Sequence, residues 1–169
     1  MKTDYDLNFE KKIIREKIQK DRNSLSPEDH AVKSRLIAEK LINSEEYLKA
    51  KTIFIFYPFR SEVDTTIIIK DALVKGKKVI LPKIIEGEMR TFFISDPDKD
   101  LEKGSFGIPE PKVSGCSEAK SDEIDLAIIP GICFDLSFNR IGYGGGFYDK
   151  ISLKLKKNIK KLHLHLICR

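Results

Sequence analysis

A chain of 169 residues, 41 % hydrophobic and 34 % charged, is long enough for one domain with its own core and has the composition of an ordinary globular protein. It has no run of about 18 apolar residues, which argues against a membrane-spanning helix. The start, Met1-Lys2-Thr3-Asp4-Tyr5-Asp6, lacks the apolar stretch of a secretory signal, so a cytoplasmic location without a membrane partner is expected. The net charge of +5 suits anionic ligands, either phosphate-bearing small molecules or nucleic acid. Much of it sits in Lys150, Lys154, Lys156, Lys157, Lys160 and Lys161, where no aromatic side chain is interleaved for base stacking. That cluster reads as a solvated helix face, and no nucleic-acid partner is expected.

Along the chain, Phe9 to Lys20 has helical spacing, with Phe9, Ile13, Ile14 and Ile18 recurring. Ser26-Pro27-Glu28-Asp29 is a helix start: a hydroxyl cap, proline at the first position and acids in the first turn. The helix it opens carries Val32, Leu36, Ile37, Leu41 and Ile42 and ends near Asn43. Thr52 to Tyr57 is a buried strand closed by Pro58. A helix from Thr65 to Lys75 ends at Gly76, followed by strands at Lys78 to Leu81 and Met89 to Ile94. Residues 95–123 look irregular and contain Pro97, Pro109 and Pro111. Ile124 to Ile129 is another apolar strand, stopped by Pro130-Gly131. A glycine-rich loop leads into a helix over Gly146 to Lys157, and Ile159 to Ile167 is a last strand. Strands alternating with helices predict a single α/β domain over 1–169, a three-layer sandwich with a mostly parallel sheet and helices on both faces. Ligands should then bind past the carboxyl ends of strands, after Tyr57, Leu81 and Ile129.

The three cysteines, Cys116, Cys133 and Cys168, are odd in number and form no Cys-x-x-Cys pair, so neither a disulfide framework nor a zinc site is suggested. His163 and His165 alternate with leucines and would share one strand face, without a third metal ligand nearby.

The chemistry concentrates in Asn139-Arg140-Ile141-Gly142-Tyr143-Gly144-Gly145-Gly146-Phe147-Tyr148-Asp149. Closely spaced glycines let successive backbone N–H groups face an anion with no Cβ in the way. The helix that follows adds a positive N-terminus, and Arg140 can grip a phosphate with two donors. Asp149 could hold Mg²⁺. The loop is neither a Walker A motif nor Gly-x-Gly-x-x-Gly. A plain strand-to-helix turn needs one or two glycines, not four flanked by an arginine and an aspartate. Lys11 and Arg15, four apart on one helix face, could also grip a polyphosphate. Glu62 and Asp64 follow the first strand, where a carboxylate could bind a ring N–H or a hydroxyl. Asp64 also suits the cap of the next helix.

Pro130-Gly131-Ile132-Cys133-Phe134-Asp135 followed by Arg140 to Asp149 resembles the signature of the 5-formyltetrahydrofolate cyclo-ligases, also called methenyltetrahydrofolate synthetases. Ser61-Glu62-Val63-Asp64-Thr65 and Phe106-Gly107-Ile108-Pro109-Glu110-Pro111 are similar to further landmarks of that family. The resemblance spans residues 10 to 160. It implies an enzyme that uses ATP and Mg²⁺ to convert 5-formyltetrahydrofolate, with or without a polyglutamate tail, to 5,10-methenyltetrahydrofolate; a monomer is the working expectation. By the same resemblance, Lys11, Arg15 and Arg140, Ile141, Gly142, Tyr143, Gly144, Gly145, Gly146, Phe147 and Tyr148 bind ATP. Tyr57 and Glu62 contact the folate, with Tyr143 to Phe147 near both ligands, and Asp149 binds Mg²⁺. Arg140 and Lys11 are the expected catalytic cations, neutralising charge as the phosphoryl group moves. After about residue 160 the tail Leu162 to Arg169 departs from the family pattern, as a truncation or a change of reading frame would produce. Two other readings compete. One is a sugar-phosphate isomerase or CoA-transferase relative on a similar scaffold, and the other is a non-catalytic nucleotide- or RNA-binding protein.

Overall fold

The structure, a computed structural model, describes residues 4–135, 139–156 and 159–166. Cys168, Lys157 and the end of the tail from Ile167 lie outside the described residues. The chain opens with a long helix α1 (Asp4–Asn23), then α2 (Pro27–Ile42) and the short α3 (Glu45–Lys49). The Ser26 hydroxyl oxygen accepts the Asp29 N–H at 3.0 Å, as the cap sequence requires. Ser26→Ala is expected to lower the unfolding free energy by about 1 kcal/mol, read as a lower denaturant midpoint with an unchanged slope.

Strand β1 (Thr52–Ile55) leads through α4 (Thr66–Val74) to β2 (Lys78–Ile85) and β3 (Glu88–Ile94). Next come α5 (Pro97–Asp100), the hairpin β4 (Leu101–Lys103) and β5 (Pro109–Pro111), and β6 (Leu126–Ile129). The short ribbon β7 (Cys133–Phe134) and β8 (Arg140–Ile141), α6 (Phe147–Lys154) and β9 (Lys160–His163) complete the order. The main sheet runs β3-β2-β1-β6-β9. It is parallel except for β3, which is antiparallel to β2.

Successive side chains of a strand point to opposite faces, and a strand covered on both sides is apolar throughout. Ile53, Ile55, Val79, Leu81, Leu126 and Ile128 face one core together with Ala38 and Leu41 of α2 and Ile68, Ile69 and Ala72 of α4. Phe54, Ile80, Ala127 and Ile129 face a second core closed by Ile151 of α6 and Leu155. Helices therefore cover both faces of the sheet. The chain leaves β1 toward β2 on one side, while β6 continues to β9 on the other. The connections diverge between β1 and β6, which opens a crevice beyond their carboxyl ends.

Several local expectations change. Helix α1 is longer than Phe9 to Lys20, and its apolar stripe is not buried: Phe9, Ile13 and Ile14 are exposed. Helix α3 is too short to show as a periodic pattern in the sequence. It buries Tyr47, whose hydroxyl donates to Asp71 at 2.5 Å. Strand β1 stops at Ile55, which leaves Tyr57 beyond its end. The 95–123 segment holds α5 and the β4–β5 hairpin rather than irregular chain throughout. Helix α6 ends at Lys154 because Leu155 turns extended. His163 ends β9, and both it and His165 pack against the Phe134 ring, with centroids at 4.7 and 5.4 Å.

Candidate active site

One cleft of about 540 Å³ opens at the crevice between β1 and β6. The residues expected to bind ATP, folate and metal all line it: Lys11 and Arg15 from α1, Tyr57 and Glu62 beyond β1, and Arg140 through Asp149 from β8 to α6. The segments come together because β1 and β6 are sheet neighbours while α1 lies across their ends.

One side of the cleft is built around the glycine loop. Gly144 and Gly146 have φ of +104° and +68°, which a residue with a Cβ rarely adopts. Gly146 caps α6 without a side-chain hydrogen bond, so the first turn keeps its N–H groups for a ligand. Arg15 Nε donates to the Gly142 carbonyl at 2.8 Å, tying α1 to the loop. Arg140 Nη1 donates to the Pro130 carbonyl at 2.9 Å, and Nη2 pairs with the Asp149 carboxylate. The Arg140 side chain is only 11 % exposed, whereas that of Asp149 is 72 % exposed. The guanidinium is thus fixed in the wall and the carboxylate stands in the opening.

The opposite side is built around Glu62, which is 6 % exposed. Its Oε2 accepts the Phe59 N–H at 2.9 Å. Burial pushes the carboxyl above the ordinary range, opposed by hydrogen bonds from Tyr143 and Phe59 and by the charge of Arg22. Tyr143 is 40 % exposed, yet its phenol is pushed up to about 12, first by burial and then by the Glu62 charge. Burial also raises Tyr148 far above a free phenol, and Glu62 adds to that. Asp64 is decided differently. Its Oδ1 accepts the Thr66 N–H and hydroxyl at 3.0 and 2.6 Å, so this carboxylate, one residue before the Thr65 N-cap, holds the first residue of α4 and does not line the cleft.

Several further cleft residues are given no role by the sequence. Arg60, Lys83, Phe106 and Glu110 also line the cleft. Glu110 is buried, and Gly104 leaves it room: a Cβ there would stand 2.3 Å from the Glu110 carboxyl. Arg22, buried in the last turn of α1, donates to the Tyr143 hydroxyl at 3.0 Å. A signal for it does exist in the sequence: Lys11, Arg15 and Arg22 are spaced 4 and 7 apart, which puts three cations on one helix stripe.

No group of three or more His, Cys, Asp or Glu side chains suited to a metal occurs among the described residues. Mg²⁺ is commonly held by one or two carboxylates together with substrate phosphates, and one exposed carboxylate beside the glycine loop fits that arrangement. No helix of the described residues is long and apolar enough to cross a membrane.

The sequence model of the 5-formyltetrahydrofolate cyclo-ligase family matches residues 8–167. Among similar proteins, the 5-formyltetrahydrofolate cyclo-ligase of Haemophilus influenzae is 30 % identical over 139 residues, covering 81 % of this chain and 74 % of the relative. That of Mus musculus is 31 % identical over 149 residues, covering 85 % and 73 %. The solved structure of Aquifex aeolicus 5,10-methenyltetrahydrofolate synthetase superposes with a TM-score of 0.81 at 31 % identity, covering 91 % of this chain and 76 % of that one.

Proposed function

The chain belongs to the 5-formyltetrahydrofolate cyclo-ligase family, and we propose that it carries out that family's reaction, ATP-dependent conversion of 5-formyltetrahydrofolate to 5,10-methenyltetrahydrofolate with release of ADP and phosphate, in the cleft beyond β1 and β6. The observation that carries the placement is the meeting of two unlike half-sites in one cleft: a cationic glycine loop and a buried carboxylate.

The chemistry explains that division. A formamide oxygen is a poor leaving group. Transfer of the γ-phosphoryl group to it makes it a good one and leaves the carbon electrophilic. The folate N10 then attacks that carbon, phosphate departs and the ring closes. No protein nucleophile is needed, so catalysis rests on alignment and on neutralising charge. Arg140, Lys11, Arg15 and the loop N–H groups would hold the phosphates, with Arg140 and Lys11 facing the charge that develops in transfer. Glu62 would accept a hydrogen bond from a ring N–H of the folate, with Tyr57 against the ring. Tyr143 and its glycine neighbours lie between the half-sites and would touch both ligands. Asp149 would hold Mg²⁺ brought in on ATP, which neutralises phosphate charge.

The test is direct. Protein mixed with 5-formyltetrahydrofolate, ATP and Mg²⁺ should generate the methenyl chromophore, and leaving out ATP or chelating Mg²⁺ should abolish it. Folded protein that produces no ATP-dependent signal would overturn the reading.

A further inference from the structure

Arg22 is 5 % exposed and its Nε is, among the described residues, the one buried side-chain nitrogen or oxygen without a hydrogen-bond partner. A buried cation with an unsatisfied donor is an expensive way to fill space, and an apolar side chain of similar volume is commonly neutral or stabilising at such sites. Its contacts suggest what it does instead. Nη2 donates to the Tyr143 hydroxyl at 3.0 Å, and Nη1 lies 3.4 Å from the Gly131 carbonyl. Tyr143 also hydrogen-bonds the Glu62 carboxylate. Gly131 adjoins Pro130, whose carbonyl accepts from Arg140. The next residue, Asn23, accepts the Ser61 hydroxyl at 2.7 Å through its Oδ1. The last turn of α1 thus touches the strand-end turn, the glycine loop and the loop that bears Glu62.

We propose that Arg22 is a positioning residue for the cyclo-ligase reaction: it clamps Tyr143 of the glycine loop against Glu62 and so fixes the nucleotide half-site relative to the folate half-site. The role rests on the function proposed above. Phosphoryl transfer between two bound ligands is sensitive to their mutual placement, and a displacement of about 1 Å can cost about 100-fold in rate. Lys11 and Arg15 line the cleft, whereas Arg22 stands behind it and acts through Tyr143 and Glu62.

A double-mutant cycle tests this. Arg22→Gln, Tyr143→Phe and the double variant are compared with wild type for turnover of the folate substrate, as kcat/KM at saturating ATP, with thermal melts alongside. Arg22→Gln should lose about 100-fold and Tyr143→Phe about 10-fold. The double variant should be no worse than Arg22→Gln, because both act on one contact. The pH profile gives an independent readout. The groups facing Glu62 are Arg22, Tyr143, Tyr148 and the Phe59 N–H, while His30 Nε2 meets only its backbone carbonyl at 2.7 Å. Arg22 favours the Glu62 carboxylate, so removing it should move the acid limb of activity to higher pH. Arg22→Lys should restore the limb by restoring charge, without restoring the rate, since lysine lacks the fork. It also replaces Arg22→Gln in the cycle should that variant not fold. Additive losses, or an acid limb that does not move, would overturn the role of Arg22 while leaving the enzyme's activity standing. A folded wild type without turnover would overturn both.

Discussion

Arg140→Ala is expected to lower kcat/KM for ATP about 1000-fold while leaving the protein folded. Arg140 reaches the cleft from the two-residue strand β8 and is held by the Pro130 carbonyl, so its guanidinium is placed before any ligand arrives. Preorganised donors of this kind contribute most to catalysis because nothing has to reorient as charge develops. In the free protein Arg140 pairs with Asp149. Phosphate oxygens would take the place of that carboxylate on the guanidinium and leave Asp149 free for the metal. Stability should suffer far less than catalysis. The partner left behind is 72 % exposed, so truncation strands no buried anion. Arg140→Lys separates charge from geometry: it keeps the cation but lacks two parallel donors, and about a 30-fold loss is expected. Initial rates over a range of ATP concentrations, with thermal melts of each variant, check both. Near wild-type turnover by Arg140→Ala would remove this residue from the site.

What is legible in the sequence depends on how strongly a local pattern restricts the backbone. Ser26-Pro27 sets a helix start to the residue, because a hydroxyl cap and a first-turn proline have few other uses. Ile53-Phe54-Ile55 and Leu126 to Ile129 are recognisable as central parallel strands, since only chain covered on both faces is apolar without alternation. The glycine loop is recognisable because few other backbones need glycines so closely spaced, and Arg140 through Asp149 all line the cleft. The β4–β5 hairpin has strands of three residues, too short for any periodicity to show. Its contributions, Glu110 and the nearby Phe106, are visible in the sequence only as a family landmark. On α1 the apolar residues draw attention to the wrong stripe. Phe9, Ile13 and Ile14 are exposed, while Arg15 and Arg22 reach the rest of the protein. A cation buried on a helix is invisible to a pattern that equates burial with hydrophobicity. It becomes visible only when charges themselves are counted along a stripe.

Glu62→Gln is the sharper test of the proposed folate side, because it keeps the volume of a side chain that is 6 % exposed and changes only its charge and hydrogen-bonding. A carboxylate accepts with both oxygens, whereas an amide offers one acceptor and one donor. A charge-assisted hydrogen bond to a ring N–H would therefore be weakened or reversed. Charged hydrogen bonds contribute about 1.5–3 kcal/mol, so about a 100-fold fall in kcat/KM for the folate substrate is expected, with the KM for ATP changed little. The pH dependence has a definite sign. Burial raises the Glu62 pKa above the ordinary carboxylate range. Lowering the pH through that raised value protonates the acceptor, so wild-type kcat/KM should fall on the acid side at a pH higher than an exposed glutamate would give. Glutamine has no proton to take up there, so this limb should vanish in the variant even though its plateau is lower. A variant that retained the limb would assign it to another group. One that lost ATP affinity as strongly as folate affinity would place Glu62 in the nucleotide half of the cleft.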